Sequence, residues 1–183
     1  LTITGPNLVI IPEYKMADES SKKSGLKLFT STIRRGSPDY LDPKLNCHSK
    51  LHEVQALVQA IEAGADEALM LDINGFVSTC NSTNFFMVKD GVVITSTDQY
   101  CMNGITRQKI IDLCVENNMP VVERNFSLYD VYDADECFVT GTFAGISPVI
   151  SIDGRTIENN SDTETSETLS TLYKKLITEY VQQ

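Results

Sequence analysis

The chain has 183 residues, of which 42% are hydrophobic, and a formal net charge of −10. That length is enough for one substantial core, so we expect a single domain over residues 1–183. The acidic charge argues against nucleic acid or an anionic membrane as a partner, because both need a positive footprint. No apolar run approaches the roughly 20 residues of a membrane helix. No charged-then-apolar leader precedes residue 30 either, so we expect a cytoplasmic protein. The five cysteines are scattered without a CxxC pair, which indicates reduced thiols and no metal site.

Strand and helix patterns alternate through the first half of the chain. Apolar runs predict strands at Leu8–Ile11 and Leu26–Arg34, and apolar residues at helical spacing predict a helix over residues 53–63. Two β-hairpins follow, because the dipeptides Asn74-Gly75 and Asp90-Gly91 supply positive φ angles between strand-like runs. Consecutive hairpins of this kind predict a curved antiparallel sheet.

The second half continues with helices and short strands. A helix over Arg107–Glu116 places apolar side chains on one face, and Ser127 with Asp130 predicts the cap of a short helix. Asp153-Gly154 predicts another hairpin. The polar tract over residues 159–168 predicts a loop ahead of a terminal amphipathic helix.

Two separated turn sequences carry the most specific chemistry of the chain. They are Asn103-Gly104-Ile105-Thr106-Arg107 and Thr140-Gly141-Thr142-Phe143-Ala144. Each combines a hydroxyl and backbone N–H groups with a glycine that allows close approach to the backbone. Because N–H groups at segment starts bind anions, the pair predicts a phosphate site.

With these two sequences, the chain resembles the larger, C-terminal domain of the class IV pyridoxal-phosphate enzymes, which include branched-chain and D-amino-acid aminotransferases and aminodeoxychorismate lyase. The segments Gly64–Asp72, Asn84-Phe85-Phe86 and Phe138–Thr142 are also similar to that family. The resemblance implies an α+β fold, with a curved mixed or antiparallel sheet or pseudo-barrel flanked by helices. The smaller N-terminal domain of the family has no counterpart in these 183 residues.

The resemblance also implies the cofactor, pyridoxal 5′-phosphate, and the residues around it. The residues assigned to the cofactor phosphate are Gly104, Ile105, Thr106, Gly141 and Thr142. Phe143 and Ala144 are assigned to the substrate. Thr79 and Asn46 are assigned to the rest of the cofactor, although both depart from the usual family pattern.

Asn46 stands where the family has the lysine that forms a Schiff base with the cofactor aldehyde, and an amide cannot form that bond. Lys50 stands where the family often has a tyrosine that contacts the cofactor, so it is the first candidate for a relocated lysine. Lys44 is the second, and either lysine would otherwise be a solvated surface group. Thr79 replaces a glutamate that faces the pyridine nitrogen, which leaves only a neutral hydrogen bond there.

The resemblance implies an aminotransferase that moves an amino group between a small amino acid and a 2-oxo acid, acting as a homodimer. One alternative is a lyase of the aminodeoxychorismate type that uses the same cofactor. The other is a non-catalytic remnant that binds phosphate or a partner through the same scaffold. Asn46, Thr79 and the absent small domain are the features that separate the three.

Overall fold

The computed structural model describes residues 5, 8–13, 24–39, 41–158 and 165–182. Within these residues the chain forms nine strands and four helices. The strands are Leu26–Thr30 (β1), Glu67–Leu71 (β2), Val77–Cys80 (β3), Asn84–Lys89 (β4), Val92–Thr95 (β5), Val121–Glu123 (β6), Glu136–Gly141 (β7), Gly145–Ile152 (β8) and Arg155–Thr156 (β9). The helices are Leu51–Glu62 (α1), Ile105–Glu116 (α2), Leu128–Tyr132 (α3) and Thr165–Val181 (α4).

The strands form one mixed sheet in the order β3-β2-β1-β8-β7-β4-β5-β6, and β9 pairs with β8. Strand β1 runs parallel to β2 and β8, β5 runs parallel to β6, and the other pairs are antiparallel. The three predicted hairpins are confirmed as β2–β3, β4–β5 and β8–β9. In the β4–β5 turn both Asp90 and Gly91 have positive φ angles, 50° and 74°. This local turn chemistry fixes the register of the hairpin.

The sheet must curl, because β3 and β4 are consecutive in sequence but five positions apart in the sheet order. Five strand spacings would measure about 24 Å in a flat sheet. The four Cα–Cα steps from Cys80 to Asn84 reach about 15 Å at most. The sheet therefore bends into a half-barrel in which the Cys80 N–H donates to the Thr83 carbonyl oxygen at 2.9 Å. The predicted fold class, a curved mixed sheet with flanking helices, is confirmed.

Helices α1 and α2 bury side chains of different size. The predicted inward face of α2 is confirmed, since Ile110, Ile111, Leu113 and Cys114 are all buried against sheet residues and Leu169 of α4. Helix α1 instead buries the small residues Ala56 and Ala60, and its larger apolar residues Val54 and Val58 are exposed. The apolar spacing correctly located this helix, but alanines form the packed face.

Three sequence predictions need correction. Leu8–Ile11 is exposed and forms no strand in the described residues, because no neighbouring strand pairs with its backbone. Strand β1 ends at Thr30 rather than Arg34, since the Ser31 hydroxyl and the Thr32 N–H bind Gln59 of α1. The predicted loop over residues 159–168 is already helical at Thr165; residues 159–164 lie outside the described part.

The early start of α4 has a clear cause. The Glu136 carboxylate accepts hydrogen bonds from the Thr165 and Ser166 N–H groups, both at 2.9 Å. A carboxylate is favourable at a helix N-terminus, where the backbone donors have no intrahelical acceptor. Among the described residues, no helix is long and apolar enough to cross a membrane.

Candidate functional site

Asn84, the first residue of β4, lies against the turn that precedes helix α2. Its side-chain Nδ2 donates to the Met102 carbonyl oxygen at 2.9 Å. A Cβ added to Gly104 would be 2.3 Å from Asn84 Oδ1. Because Gly104 has an ordinary φ of −65°, close approach to Asn84 rather than backbone conformation requires a glycine here.

The second turn lies at the same end of β4. Thr140 is opposite Asn84 in the antiparallel β4–β7 ladder, so the two side chains lie on the same face of the sheet. A Cβ added to Gly141 would be 3.4 Å from the Thr83 methyl group, an ordinary contact. The structure thus brings the two turn sequences together around Thr83 and Asn84. We call residues Gly104–Thr106 and Thr140–Thr142 the two-turn site.

Helix α2 begins at the two-turn site with backbone donors available. Gly104 is its N-cap, no side chain caps the helix, and no acidic residue lies in its first turn. The first N–H groups of a helix lack an intrahelical acceptor and carry the positive end of the helix dipole. The N–H groups of Ile105 and Thr106 are therefore arranged to bind an anion.

The hydroxyl groups of the site are suited to the same ligand. Thr140 is 1% exposed, and its Oγ1 has no hydrogen-bond partner in the described part of the chain. A buried hydroxyl without a partner costs about 1–3 kcal/mol, which a bound polar ligand would recover. Thr106 is also buried, and its Oγ1 lies 3.4 Å from the Tyr173 hydroxyl. This donor set fits a phosphate group, and Thr142, the last residue of the second turn, is exposed.

Phe143 and Ala144, predicted to contact the substrate, follow Thr142 in the turn between β7 and β8. Phe143 is exposed, and Ala144 is half-buried. Both residues therefore follow the second turn directly in the chain and are accessible from solvent.

Thr79 on β3 is buried, and its hydroxyl donates to the Thr83 carbonyl oxygen at 2.7 Å. With its proton committed to that bond, Thr79 Oγ1 can act only as an acceptor toward a further group. Thr83 also places its methyl group next to Gly141. The β3–β4 connection therefore links Thr79 to the two-turn site.

A buried carboxylate that the sequence analysis missed supports this connection. Glu67 accepts hydrogen bonds from the Ser82 N–H at 3.0 Å, the Ser82 hydroxyl at 2.8 Å and the Thr83 hydroxyl at 2.9 Å. Burial raises the pKa of Glu67, and these hydrogen bonds oppose the rise. The available signal was an acidic residue directly before the apolar run Ala68–Leu71, which is unusual for a solvated charge.

The two candidate lysines lie on the segment that leads into helix α1. Lys50 Nζ is 3.8 Å from Glu53 Oε2, and its side chain is 46% exposed. Lys44 Nζ is 3.7 Å from Asp98 Oδ2, and its side chain is 49% exposed. Asn46, between them in sequence, is exposed. Lys44 is thus tied to the segment that precedes Gly104, whereas Lys50, which precedes α1, is paired with Glu53 in the first turn of that helix.

Lys50 lines a cavity of about 180 Å³ together with another residue that the sequence analysis missed, Arg35. The Arg35 guanidinium is buried, with Nη1 donating to Glu53 Oε1 at 2.6 Å and Nε donating to the Tyr100 carbonyl oxygen at 3.1 Å. Burial, and next the Arg35 charge, lower the pKa of His52, which also faces the cavity. Arg35 therefore connects the lysine segment to the loop that leads toward Gly104.

Arg107, the last residue of the first turn sequence, is buried and bound to other residues of the protein. It is 1% exposed, and its guanidinium donates to Glu123 Oε2 at 2.5 Å, the Ser96 carbonyl oxygen at 2.7 Å and Asn103 Oδ1 at 3.1 Å. Its Nε has no partner among the described residues. Arg107 thus ties the start of α2 to the loop before it and to β6.

Comparison with known proteins places this arrangement in a defined class. Residues 2–152 match the family described as amino-transferase class IV. The chain belongs to the class IV aminotransferase family, whose members use pyridoxal 5′-phosphate.

Relatives and solved structures agree with that assignment. The chain is 39% identical over 172 residues to branched-chain-amino-acid aminotransferase-like protein 1 of Arabidopsis thaliana, covering 94% of this chain and 31% of that protein. It is 40% identical to a putative branched-chain-amino-acid aminotransferase of Methanocaldococcus jannaschii, covering 86% of this chain and 55% of the relative. A T.th. branched-chain amino acid aminotransferase with pyridoxamine 5′-phosphate superposes with a TM-score of 0.81 at 31% identity, covering 86% of this chain and 53% of that one. The chain thus spans about a third to a half of these relatives.

Proposed function

We propose that residues 1–183 form a single cofactor-binding domain of a pyridoxal-phosphate-dependent aminotransferase. The observation that carries the proposal is the meeting of the two turns at Asn84, within a chain of the class IV family. The similar T.th. enzyme contains pyridoxamine 5′-phosphate, which supports the choice of cofactor. We further propose a small amino acid and a 2-oxo acid as substrates, a homodimer as the working unit and a cytoplasmic location.

In this proposal the two-turn site holds the cofactor phosphate. The Ile105 and Thr106 N–H groups would donate to phosphate oxygens, as would the Thr106 and Thr142 hydroxyls. Gly141 would let the backbone approach the phosphate closely. When bound, pyridoxal 5′-phosphate supplies an aldehyde that takes up amino groups and a ring that withdraws electrons. Phe143 and Ala144 would border the substrate on the same turn.

Lys50 is proposed to attach the cofactor, with Lys44 as the second candidate. The amine must be neutral to act as a nucleophile. In the structure Lys50 Nζ lies 3.8 Å from Glu53 Oε2, in an ion pair. Lys50 must therefore leave this ion pair before it reacts. Asn46 would contact the cofactor only through its amide.

Thr79 would face the pyridine nitrogen of the cofactor. Its hydroxyl proton is already donated to Thr83, so the oxygen would accept a hydrogen bond from a protonated ring nitrogen without supplying a negative charge. A neutral acceptor holds that proton less firmly than a carboxylate does. Slower turnover than in a glutamate-containing relative is the expected consequence.

The pairing of both lysines with carboxylates favours one alternative, a domain that binds the cofactor phosphate without turnover. In that case Lys50 and Lys44 would keep their ion pairs with Glu53 and Asp98. Binding would then rest on the two-turn site alone. The two proposals differ in whether a covalent bond to a lysine forms.

Borohydride reduction of the protein with pyridoxal 5′-phosphate, followed by peptide mapping, separates these proposals. We expect the pyridoxyl label on Lys50, and Lys50→Ala should remove it while Lys174→Ala, on the surface of α4, should not. A label on Lys44 would transfer the role to that residue. Cofactor binding without a label at either position would favour the non-catalytic alternative, and no cofactor binding at all would contradict the proposed function.

A further inference from the structure

Tyr173 of helix α4 contacts the first turn of the two-turn site and the strand residue that pairs with the second. Its hydroxyl lies 3.4 Å from Thr106 Oγ1, in the first turn of α2. Its ring lies against Gly145, where an added Cβ would be 3.2 Å from Tyr173 Cε1. Gly145 is opposite Gly141 in the β7–β8 ladder. A single side chain of helix α4 therefore contacts Thr106 in the first turn and the residue that pairs with Gly141 of the second.

Helix α4 is held firmly enough to position this side chain. Its N-terminal N–H groups, those of Thr165 and Ser166, bind the Glu136 carboxylate. Leu169 is fully buried in the cluster that contains the inward face of α2, and Tyr173 packs at the edge of that cluster. Because residues four apart share one helix face, Leu169 orients Tyr173 toward the two-turn site.

We propose that Tyr173 is a positioning residue of the phosphate site, which turns the Thr106 hydroxyl toward the bound anion. The dianion of a phosphate monoester, such as the cofactor phosphate, offers only acceptors at its oxygens, so the Thr106 O–H must donate to it. Thr106 Oγ1 is then left to accept from the Tyr173 O–H, which fixes the direction of both bonds. The hydrogen bond from Tyr173 polarises the Thr106 hydroxyl and so strengthens the bond from Thr106 to the charged phosphate.

The buried Thr140 hydroxyl supports a ligand at this place independently of Tyr173. It lies on the same sheet face as Asn84 and has no partner in the described residues. Thr140 directly precedes Gly141, whose partner in the β7–β8 ladder is Gly145, the residue that the Tyr173 ring contacts. The inference rests on the proposed function, because the phosphate of the cofactor is the anion that it concerns.

Binding measurements on Tyr173→Phe test the inference, since this change keeps the ring against Gly145 and removes only the hydroxyl. The affinity of the full chain for inorganic phosphate would be measured by calorimetry, and that for pyridoxal 5′-phosphate by absorbance. We expect Tyr173→Phe to weaken both by about fivefold, the usual effect of one lost hydrogen bond. Tyr180→Phe, on the exposed part of the same helix, should change neither affinity.

A double-mutant cycle with Thr106→Val separates positioning from packing. If Tyr173 acts through Thr106, Tyr173→Phe will cause no further loss in the Thr106→Val protein. An equal loss in both backgrounds would overturn the inference, as would a Tyr173→Phe protein that binds as tightly as the unchanged one; both results would leave the proposed function intact. An unchanged protein that binds neither phosphate nor pyridoxal 5′-phosphate would instead overturn the proposed function, and the inference with it.

Discussion

Asn84 Oδ1 occupies the space that a side chain on residue 104 would need, with an added Gly104 Cβ only 2.3 Å away. The same Asn84 side chain donates to the Met102 carbonyl oxygen, and its backbone pairs with Thr140. The start of β4 thus fixes the start of α2 against the end of β7. This relationship brings two turns that are 36 residues apart in sequence to one place.

Gly104→Ala is expected to destabilise the protein and to weaken cofactor binding. The new methyl group must push Asn84 or the turn aside, and such overpacking costs about 1–3 kcal/mol. Denaturant unfolding would give the loss of stability, and absorbance titration with pyridoxal 5′-phosphate the loss of affinity. A Gly104→Ala protein as stable as the unchanged chain would show that the close contact with Asn84 does not constrain this turn.

Gly141→Ala is expected to separate binding from stability. Its Cβ would make only an ordinary 3.4 Å contact with Thr83, so the free energy of unfolding should change by about 0.5 kcal/mol or less. A methyl group at the phosphate site should still hinder the ligand, and the affinity for pyridoxal 5′-phosphate should fall. Unaltered affinity would argue that the ligand does not approach the Gly141 backbone.

Arg107 is expected to matter for stability rather than for chemistry. Arg107→Met removes a buried guanidinium that binds Glu123, Ser96 and Asn103, and it should lower the free energy of unfolding by about 1–3 kcal/mol. Arg124→Met, at an exposed position nearby, is the matched control and should change it by about 0.5 kcal/mol or less. Equal stability of the two variants in denaturant unfolding would refute this role.

Glu67 should give the folded protein a specific pH dependence. Burial raises its pKa above the ordinary value of 4.5, so the folded state favours the protonated carboxyl. The stabilising contribution is complete below pH 4.5 and is lost as the pH rises through the folded-state pKa. The free energy of unfolding of the unchanged protein minus that of Glu67→Gln should therefore fall as the pH rises above 4.5. Glu62→Gln, at an exposed position, should give no such fall, and a rise for Glu67→Gln would contradict the direction of the shift.

The sequence predicted the parts of the fold that depend on neighbouring residues. Asp90-Gly91 forms its turn with the expected φ angles, and the Ser127–Asp130 capping box is present at the start of α3. Both are set by local hydrogen bonds and backbone sterics. The apolar run Leu8–Ile11 failed because a strand also needs a partner, which composition does not reveal.

In the candidate site, too, the features set by neighbouring residues were predicted and those set by distant contacts were not. The anion-binding character of the first turn follows from local helix geometry and was predicted from Gly104–Thr106. Other contacts at the site are made by residues from distant parts of the chain, namely Asn84, Tyr173 and Glu67. No local sequence pattern predicts such contacts. The positions of Lys44 and Lys50 relative to a cofactor depend on such contacts as well, so their assignment stays a prediction.

The affinity of pyridoxal 5′-phosphate for Thr106→Val and Thr142→Val tests most directly whether the two turns hold the cofactor phosphate. Valine keeps the shape of threonine and removes only the hydroxyl, and Thr178→Val, on the exposed part of α4, serves as the control. Each hydroxyl should contribute about 1.5 kcal/mol or more as a donor to a charged group, so absorbance titration should show weaker binding in both variants and no change in the control. Unchanged affinity in both variants would contradict a phosphate site between these turns.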